Sequence, residues 1–170
     1  MLIIIFAAVA ALGVDDYDEY DDEPAVEADE DIDLVEDYDI VRTAQEYGTL
    51  TMFVTMLQES DLAELLRGEG PYTVFIPDDS AFKALDEKWL KKILADQKET
   101  EKLLSRHIVA DAAITFDRND TLNVVAMSGD TLHIIANEEK VTVNNAEVLD
   151  EEIECSNGII HVIDAVLTKQ

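Results

Sequence analysis

The spacing of apolar residues along this chain changes near residue 107. Between residues 40 and 107, apolar positions recur every three or four residues, which is typical of amphipathic helices. Beyond that point apolar and polar residues alternate, which indicates strands. One short apolar run, residues 73–76, interrupts the helical part and predicts an early strand. Helices followed by strands, without regular alternation of the two, predict an α+β domain.

Capping residues and glycines place several of the predicted helix ends. Asp39 is positioned to cap a first helix, and Gly48 is positioned to end it. Asp61 opens a short helix further along. After the early strand, either Asp78 or Asp79 can cap the next helix, because a carboxylate at this position accepts a hydrogen bond from a free backbone N–H.

Strands are predicted at residues 108–109, 114–116, 122–127, 131–136 and 141–144, and at the C-terminal end. The final run, residues 159–167, is β-branched and nearly uncharged, so it predicts a strand that is buried on both faces. The pair Asn157-Gly158 precedes it and predicts a turn, with Gly158 expected at positive φ.

Acidic residues are concentrated near the N-terminus of this 170-residue chain, whose formal net charge is -27. Between residues 15 and 39, fifteen of twenty-five residues are Asp or Glu, and none is Lys or Arg. Such a segment has too few apolar groups to offset the entropy lost on ordering. We therefore predict an acidic disordered linker at residues 15–38 and a folded domain at residues 39–170.

Residues 2–14 are apolar, but they are fewer than the roughly twenty that a transmembrane helix needs. The run matches the apolar region of a secretory signal peptide, and Ala8-Val9-Ala10 supplies a cleavage site. Residues 1–14 therefore predict a signal peptide, a secreted or cell-surface location and no stable transmembrane span. No Lys or Arg precedes the run, which leaves an uncleaved hydrophobic anchor or a misplaced start codon as the alternatives.

The charge excludes some classes of partner. Nucleic acid binding requires Lys and Arg to displace phosphate counterions, and no basic patch stands out along the sequence. Anionic membrane surfaces are disfavoured for the same reason. Cationic surfaces and divalent ions remain open.

Motifs for catalysis and cofactor binding are absent from the sequence. It contains no Gly-x-Ser-x-Gly, no His-Glu-x-x-His and no glycine-rich phosphate loop. Neither His107 nor His161 has a second potential metal ligand at the spacing of a zinc site. We therefore predict that both are neutral core histidines held by hydrogen bonds. The single cysteine, Cys155, predicts an inert buried thiol and no internal disulfide. We expect neither an enzyme, nor a cofactor, nor a metal site.

Several segments together resemble the fasciclin domain, an extracellular adhesion module. The likeness covers about residues 39–170, and its segments occur in the family's order. They are Asp39-Ile40-Val41, the run from Leu65 to Pro77, His107-Ile108-Val109, the run from Val141 to Ala146, and Asn157-Gly158-Ile159-Ile160-His161-Val162-Ile163-Asp164. The resemblance implies a wedge-shaped fold of about seven strands flanked by helices. It also implies a non-catalytic adhesive function, in which the domain binds a protein or glycan of the cell surface or matrix.

The resemblance also assigns roles to individual residues. Seven of them match structural positions of the family motifs: Thr73, Phe75, Pro77, Phe82, Asn157, Gly158 and His161. The family commonly places Tyr before its central His, a pair linked to adhesion in some members, whereas this chain has Arg106 before His107. Arg106 and His107 are therefore the candidate partner-binding residues.

Two further expectations concern the exported protein. Asn119-Asp120-Thr121 is an N-glycosylation sequon between two predicted strands, so Asn119 is a candidate glycosylation site. As an alternative to adhesion, the protein is a secreted carrier or ion-buffering protein that acts through its acidic arm. The sequence does not specify an oligomeric state.

Overall fold

Helices lead and strands follow in the computed structural model, which describes residues 38–117 and 119–168. The helices of this part are α1 (Ile40–Glu46), α2 (Thr51–Gln58), α3 (Leu62–Leu65), α4 (Asp79–Lys83), α5 (Glu87–Leu94) and α6 (Gln97–Ser105). The strands are β1 (Tyr72–Pro77), β2 (Ile108–Ala110), β3 (Thr121–Val125), β4 (Thr131–Ala136), β5 (Val141–Val143), β6 (Ala146–Cys155) and β7 (Gly158–Ile163). The predicted α+β class is confirmed. The predicted leader and residues 15–37 of the linker lie outside the described residues.

The seven strands form one sheet in the order β2-β1-β7-β6-β5-β4-β3. β1 and β7 run parallel, with Tyr72 opposite Gly158 and Pro77 opposite Ile163, and the other neighbours are antiparallel. The two segments that carry the strongest family resemblance are therefore adjacent in the sheet. The prediction that the C-terminal strand is buried on both faces is confirmed for residues 159–163, but β7 ends at Ile163 and Asp164 is exposed, so the strand is shorter than the predicted run 159–167.

Alternation along these two central strands separates two hydrophobic clusters. Val74, Ile76, Ile160 and Val162 join the helices in one cluster. Phe75 and Ile163 point the other way, into a second cluster formed with β4, β5 and β6. This division follows from the two-residue period of side chains along a strand.

Aspartate caps begin most of the helices. Asp39 accepts a hydrogen bond from the Arg42 N–H and Asp78 from the Ala81 N–H, as predicted for α1 and α4. Asp86 and Asp96 cap α5 and α6 in the same manner. Asp61 precedes α3, but its side chain makes no capping hydrogen bond. Each true cap stabilises the protein by about 1 kcal/mol.

The predicted strand at residues 114–116 is wrong. Side chains, not a neighbouring strand, satisfy the backbone there: Thr73 Oγ1 donates to the Ala112 carbonyl and accepts from the Ile114 N–H. The Ile114 carbonyl in turn accepts a hydrogen bond from His161 Nε2. Residues 111–117 therefore form a loop that is held to β1 and β7 by these hydrogen bonds.

The longest strand, β6, was not predicted. Five of its ten residues are acidic, and its apolar residues Val148, Ile153 and Cys155 do not alternate regularly. Register shifts between Val148 and Ile153 interrupt the pairing with β7, and Glu152 has a positive φ of 57°. A bulged acidic strand lacks the regular pattern by which strands are recognised from sequence.

No helix within the described ranges has the length and apolarity to cross a bilayer.

Candidate functional site

His107 lies between α6 and β2 with none of its surface exposed. Its Nε2 accepts a hydrogen bond from the Leu167 N–H at 3.0 Å, so the proton is on Nδ1, which donates to the Leu103 carbonyl at 2.7 Å. The ring of Phe53 packs edge-on at 5.6 Å. Burial lowers the pKa of His107 to about 4. The hydrogen bonds fit a neutral ring, which links α6 to the C-terminal segment.

His161 is equally buried, at the centre of β7. Its Nε2 donates to the Ile114 carbonyl at 2.8 Å, and its Nδ1 accepts from the Glu152 N–H at 3.3 Å. Phe75 stacks on the ring at 5.4 Å, and Phe116 lies 4.5 Å away. Burial lowers the pKa of His161. Both nitrogens bind backbone groups, so the ring lies in the core with its hydrogen bonds satisfied.

Arg106 is held by an ion pair. Its Nε donates to Asp130 Oδ2 at 2.7 Å, and only 18% of its side chain is exposed. Ser128 donates to the same carboxylate oxygen at 2.8 Å. Arg106 and His107 are adjacent in sequence but differ in exposure, because Arg106 is partly exposed and His107 is fully buried. A partner cannot contact the His107 ring directly in this geometry, because the ring is buried.

Asn157 connects three parts of the fold through its side chain. Its Oδ1 accepts from the Ile40 N–H at 3.0 Å, at the start of α1. Its Nδ2 donates to the carbonyls of Leu66 and Gly68, at 2.6 and 2.9 Å. The sequence predicted a turn residue here. The structure adds a role for the side chain that no local pattern indicates.

The expectation that Gly158 has a positive φ is wrong, since its φ does not lie in the positive region. A Cβ at this position would lie 2.0 Å from the Tyr72 carbonyl oxygen and 2.8 Å from Ile40 Cδ1. Glycine is required because β1 and α1 approach the backbone closely. Gly48, by contrast, has a positive φ, at 74°.

The other motif residues occupy structural positions. Thr73 and Phe75 have no exposed surface, and Phe82 packs in the helical cluster. Pro77 is the last residue of β1. These placements agree with the structural roles that the resemblance implied.

The adjacent carboxylates Asp78 and Asp79 serve two different helices. Asp78 caps α4, whereas Asp79 accepts from the Met52 N–H at 2.9 Å and the Thr51 hydroxyl at 2.6 Å. Asp79 thereby supplies the cap that Leu50, the residue before α2, lacks. Both carboxylates are engaged with helix N-termini, and sequence reasoning missed the second role.

Cys155 is half-buried and lines a groove of about 610 Å³ between the loop before β1 and the β6–β7 turn. Burial raises the pKa of its thiol, and Sγ lies 3.6 Å from the Ile153 carbonyl oxygen. The thiol therefore stays protonated at neutral pH and is a poor nucleophile.

Two other expectations can be placed on the described part of the chain. Asn119 is exposed in a turn, with φ at 69°. No group of three His, Cys, Asp or Glu side chains in residues 38–117 and 119–168 is arranged to hold a metal ion.

Comparisons with known proteins agree on one family. The family model described as "Fasciclin domain" matches residues 48–169. Protein sll1483 of a Synechocystis strain is 35% identical over 130 residues, covering 75% of this chain and 72% of that protein. The transforming growth factor-beta-induced protein ig-h3 of Sus scrofa is 32% identical over 117 residues, covering 69% of this chain but only 17% of its own length.

A solved structure shows the same fold. It is described as a FAS1 domain pair from the insect cell adhesion molecule Fasciclin I, and it superposes with a TM-score of 0.66 at 23% identity. The match covers 79% of this chain and 52% of that one. With the family model matching most of the described part, the chain belongs to the fasciclin domain family.

Proposed function

We propose that this protein is a non-catalytic adhesion module that acts outside the cell by binding a protein or glycan of the envelope or matrix. The observation that carries the proposal is the family match over residues 48–169. The similar insect protein is described as a cell adhesion molecule, which supports the same role here.

The geometry of the reactive side chains supports a role without catalysis. A general base needs a nitrogen or oxygen free to reach a substrate. His107 and His161 use both ring nitrogens on backbone groups, and Asp78 and Asp79 are engaged with helix N-termini. The raised pKa of Cys155 makes its thiol a weak nucleophile.

Export of the protein is the second part of the proposal. Removal of residues 1–14 would leave a mature chain that begins with the acidic segment. In a host that glycosylates exported proteins, Asn119 carries a glycan, because its sequon lies in an exposed turn. Intact mass of the native protein, before and after glycosidase treatment, tests both statements. Retained Met1 would exclude cleavage, and an unchanged mass would exclude the glycan.

Attachment can be tested with two forms of the chain. Beads carry either the whole mature chain or residues 38–170, and isolated envelope fragments from the native source are the probe. The truncation keeps Tyr38 and Asp39, because the Tyr38 carbonyl accepts from the Ser156 N–H and Asp39 caps α1. Thermally unfolded protein on the same beads is the control.

The result separates adhesion from the alternative, a carrier that acts through its acidic segment. Equal capture of envelope fragments by both forms places the activity in the folded domain. Capture that disappears with residues 15–37, together with calcium binding lost in the same truncation, would favour the carrier. No capture by either form would reject adhesion to the envelope.

A further inference from the structure

Basic residues are concentrated in the segment from α4 to α6, which corrects the expectation that the sequence contains no basic patch. Seven of the chain's twelve Lys and Arg lie within residues 83–106, beside five Asp or Glu, which gives this segment a net charge of +2. The other residues hold five basic and thirty-four acidic groups, or -29, and the two parts sum to the total of -27. A basic region on so acidic a protein is a local feature with its own electrostatic potential.

Helix α5 directs its lysines away from the core. Ile93 is buried, and Trp89 and Leu90 pack against the helical cluster, which defines the inner side. Lys88, Lys91 and Lys92 are exposed at i, i+3 and i+4, the spacing that aligns residues on one side of a helix. Lys98 is exposed in the first turn of α6, after a two-residue connection. We call these four residues the lysine face.

Most charges of this face are available to a ligand. Lys91 lies 3.7 Å from Glu87, but both side chains are highly exposed, at 79% and 88%. Such a pair contributes little and exchanges readily for another anion. Among the described residues, no carboxylate lies within 4.0 Å of Lys88, Lys92 or Lys98.

The basic groups further along α6 differ, because they are already paired. Lys102 donates to Glu99 at 2.8 Å, which raises the pKa of Lys102, and Arg106 is bound to Asp130. The groove of about 680 Å³ beside them also contains Glu101. Lys98 also lines this groove, so an anion would be drawn to the α5 part of the lysine face, Lys88, Lys91 and Lys92, in preference to the groove.

The face lacks the apolar centre that a folded protein partner would bury. Its four positions are lysines, and Leu94 is the exposed large hydrophobic residue of α5. Protein interfaces usually have a desolvated core of aromatic or aliphatic side chains. Repeated, solvated anionic groups on a flexible polymer fit this surface better.

Charge density selects among such polymers. Lys88 and Lys92 are separated by about 6 Å along the helix axis. A polyuronate carries one carboxylate per sugar, which is a lower charge density than the one charge per about 1.7 Å of duplex DNA. The acidic remainder of the chain would therefore repel duplex DNA more strongly than a polyuronate. We propose that the lysine face binds a carboxylated polysaccharide. The proposal rests on the adhesive function above and names its ligand class and surface.

Alginate, a polyuronate, is the probe, and neutral dextran is its control. Binding of the whole chain to immobilised alginate is measured at about 0.05 M and about 0.5 M salt, and binding should be lost at the higher value because exposed charges are screened. The double variant Lys88→Gln/Lys92→Gln should raise the dissociation constant about three- to tenfold. Arg67→Gln/Lys140→Gln removes the same charge elsewhere and should change it less than about twofold.

A variant with the opposite sign completes the test. Glu87→Gln frees Lys91 and removes one negative charge from the surroundings of the face, so it should strengthen binding up to about threefold. Absence of binding at low salt, equal effects of the two double variants, or a weaker Glu87→Gln complex would each overturn the proposal. Equal affinity for duplex DNA would overturn the choice of a polysaccharide.

The two proposals fail separately. If the bead assay captures envelope fragments but Lys88→Gln/Lys92→Gln captures them equally well, adhesion stands and the lysine face is not its surface. If alginate binds through the face but fragments are not captured, the ligand chemistry stands and the adhesive function does not.

Discussion

Removal of the Asn157 side chain tests the structural centre of the fasciclin motif. Asn157 makes three hydrogen bonds, to the Ile40 N–H and to the carbonyls of Leu66 and Gly68. At about 1 kcal/mol for each bond, Asn157→Ala should lower the free energy of unfolding by about 3 kcal/mol. The corresponding fall in Tm is roughly 10 °C for a domain of this size.

Asn157→Asp separates the two halves of this network. The carboxylate still accepts from the Ile40 N–H, but its other oxygen faces two carbonyl oxygens where the amide donated. We expect a loss of at least about 2 kcal/mol at pH 7, since two donated bonds are removed. Asn137→Asp is the matched control, because Asn137 Oδ1 only accepts, from the Glu139 and Lys140 N–H groups, and should change stability by less than about 0.5 kcal/mol.

Acidification should partly restore Asn157→Asp. The facing carbonyls disfavour the charged form, so the introduced carboxyl has a higher pKa in the folded than in the unfolded state. The folded variant then binds more protons than the unfolded variant. Its stability relative to the natural protein is therefore greatest below the unfolded pKa of about 3.9, and this gain is lost as pH rises through the folded pKa.

Urea unfolding followed through the fluorescence of Trp89, the single tryptophan, measures each of these differences. Every variant is compared with the natural protein at the same pH, which cancels the titration of shared groups. If Asn157→Asp lies within about 0.5 kcal/mol of the natural protein at pH 7, the two donated bonds do not stabilise the fold.

Other predictions concern two glycines and three histidines. Gly158→Ala should lower the free energy of unfolding by about 3 kcal/mol or more, because backbone atoms must move to make room for the Cβ. Gly48→Ala meets open space and should lower it by about 1 kcal/mol, for its positive φ alone. Equal losses of the two variants in urea unfolding would refute the distinction. His161→Ala should cost about 1–3 kcal/mol, while exposed His133→Ala should be nearly neutral, and full stability of His161→Ala in a thermal melt would contradict its core role. The folded pKa of His107 lies below its unfolded value, so its contribution is complete above about pH 6.5 and falls by about 3 kcal/mol as pH falls towards 4. His107→Gln should flatten that part of the stability profile, and an unchanged slope would refute the assignment.

Local sequence determined the features whose causes lie within a few residues. The caps at Asp39 and Asp78 depend on backbone N–H groups three residues away, and the end of α1 depends on the conformational freedom of Gly48. The burial of β7 follows from an uncharged run that is β-branched except at Gly158 and His161. The resemblance to the family made the overall fold predictable as well, because the order and spacing of its motifs reflect the whole domain.

Tertiary structure decided the features whose partners are distant in sequence. Asn157 binds groups 117, 91 and 89 residues away, and Asp79 caps a helix that begins 28 residues earlier. The same cause removed a predicted strand, since Thr73 holds the backbone at Ile114 across 41 residues. Likewise, the need for glycine at 158 comes from the backbone of Tyr72, on the neighbouring strand. Hydrogen bonds and steric contacts act over a few ångströms, so a pattern read along the chain records them only when the partners are also close in sequence.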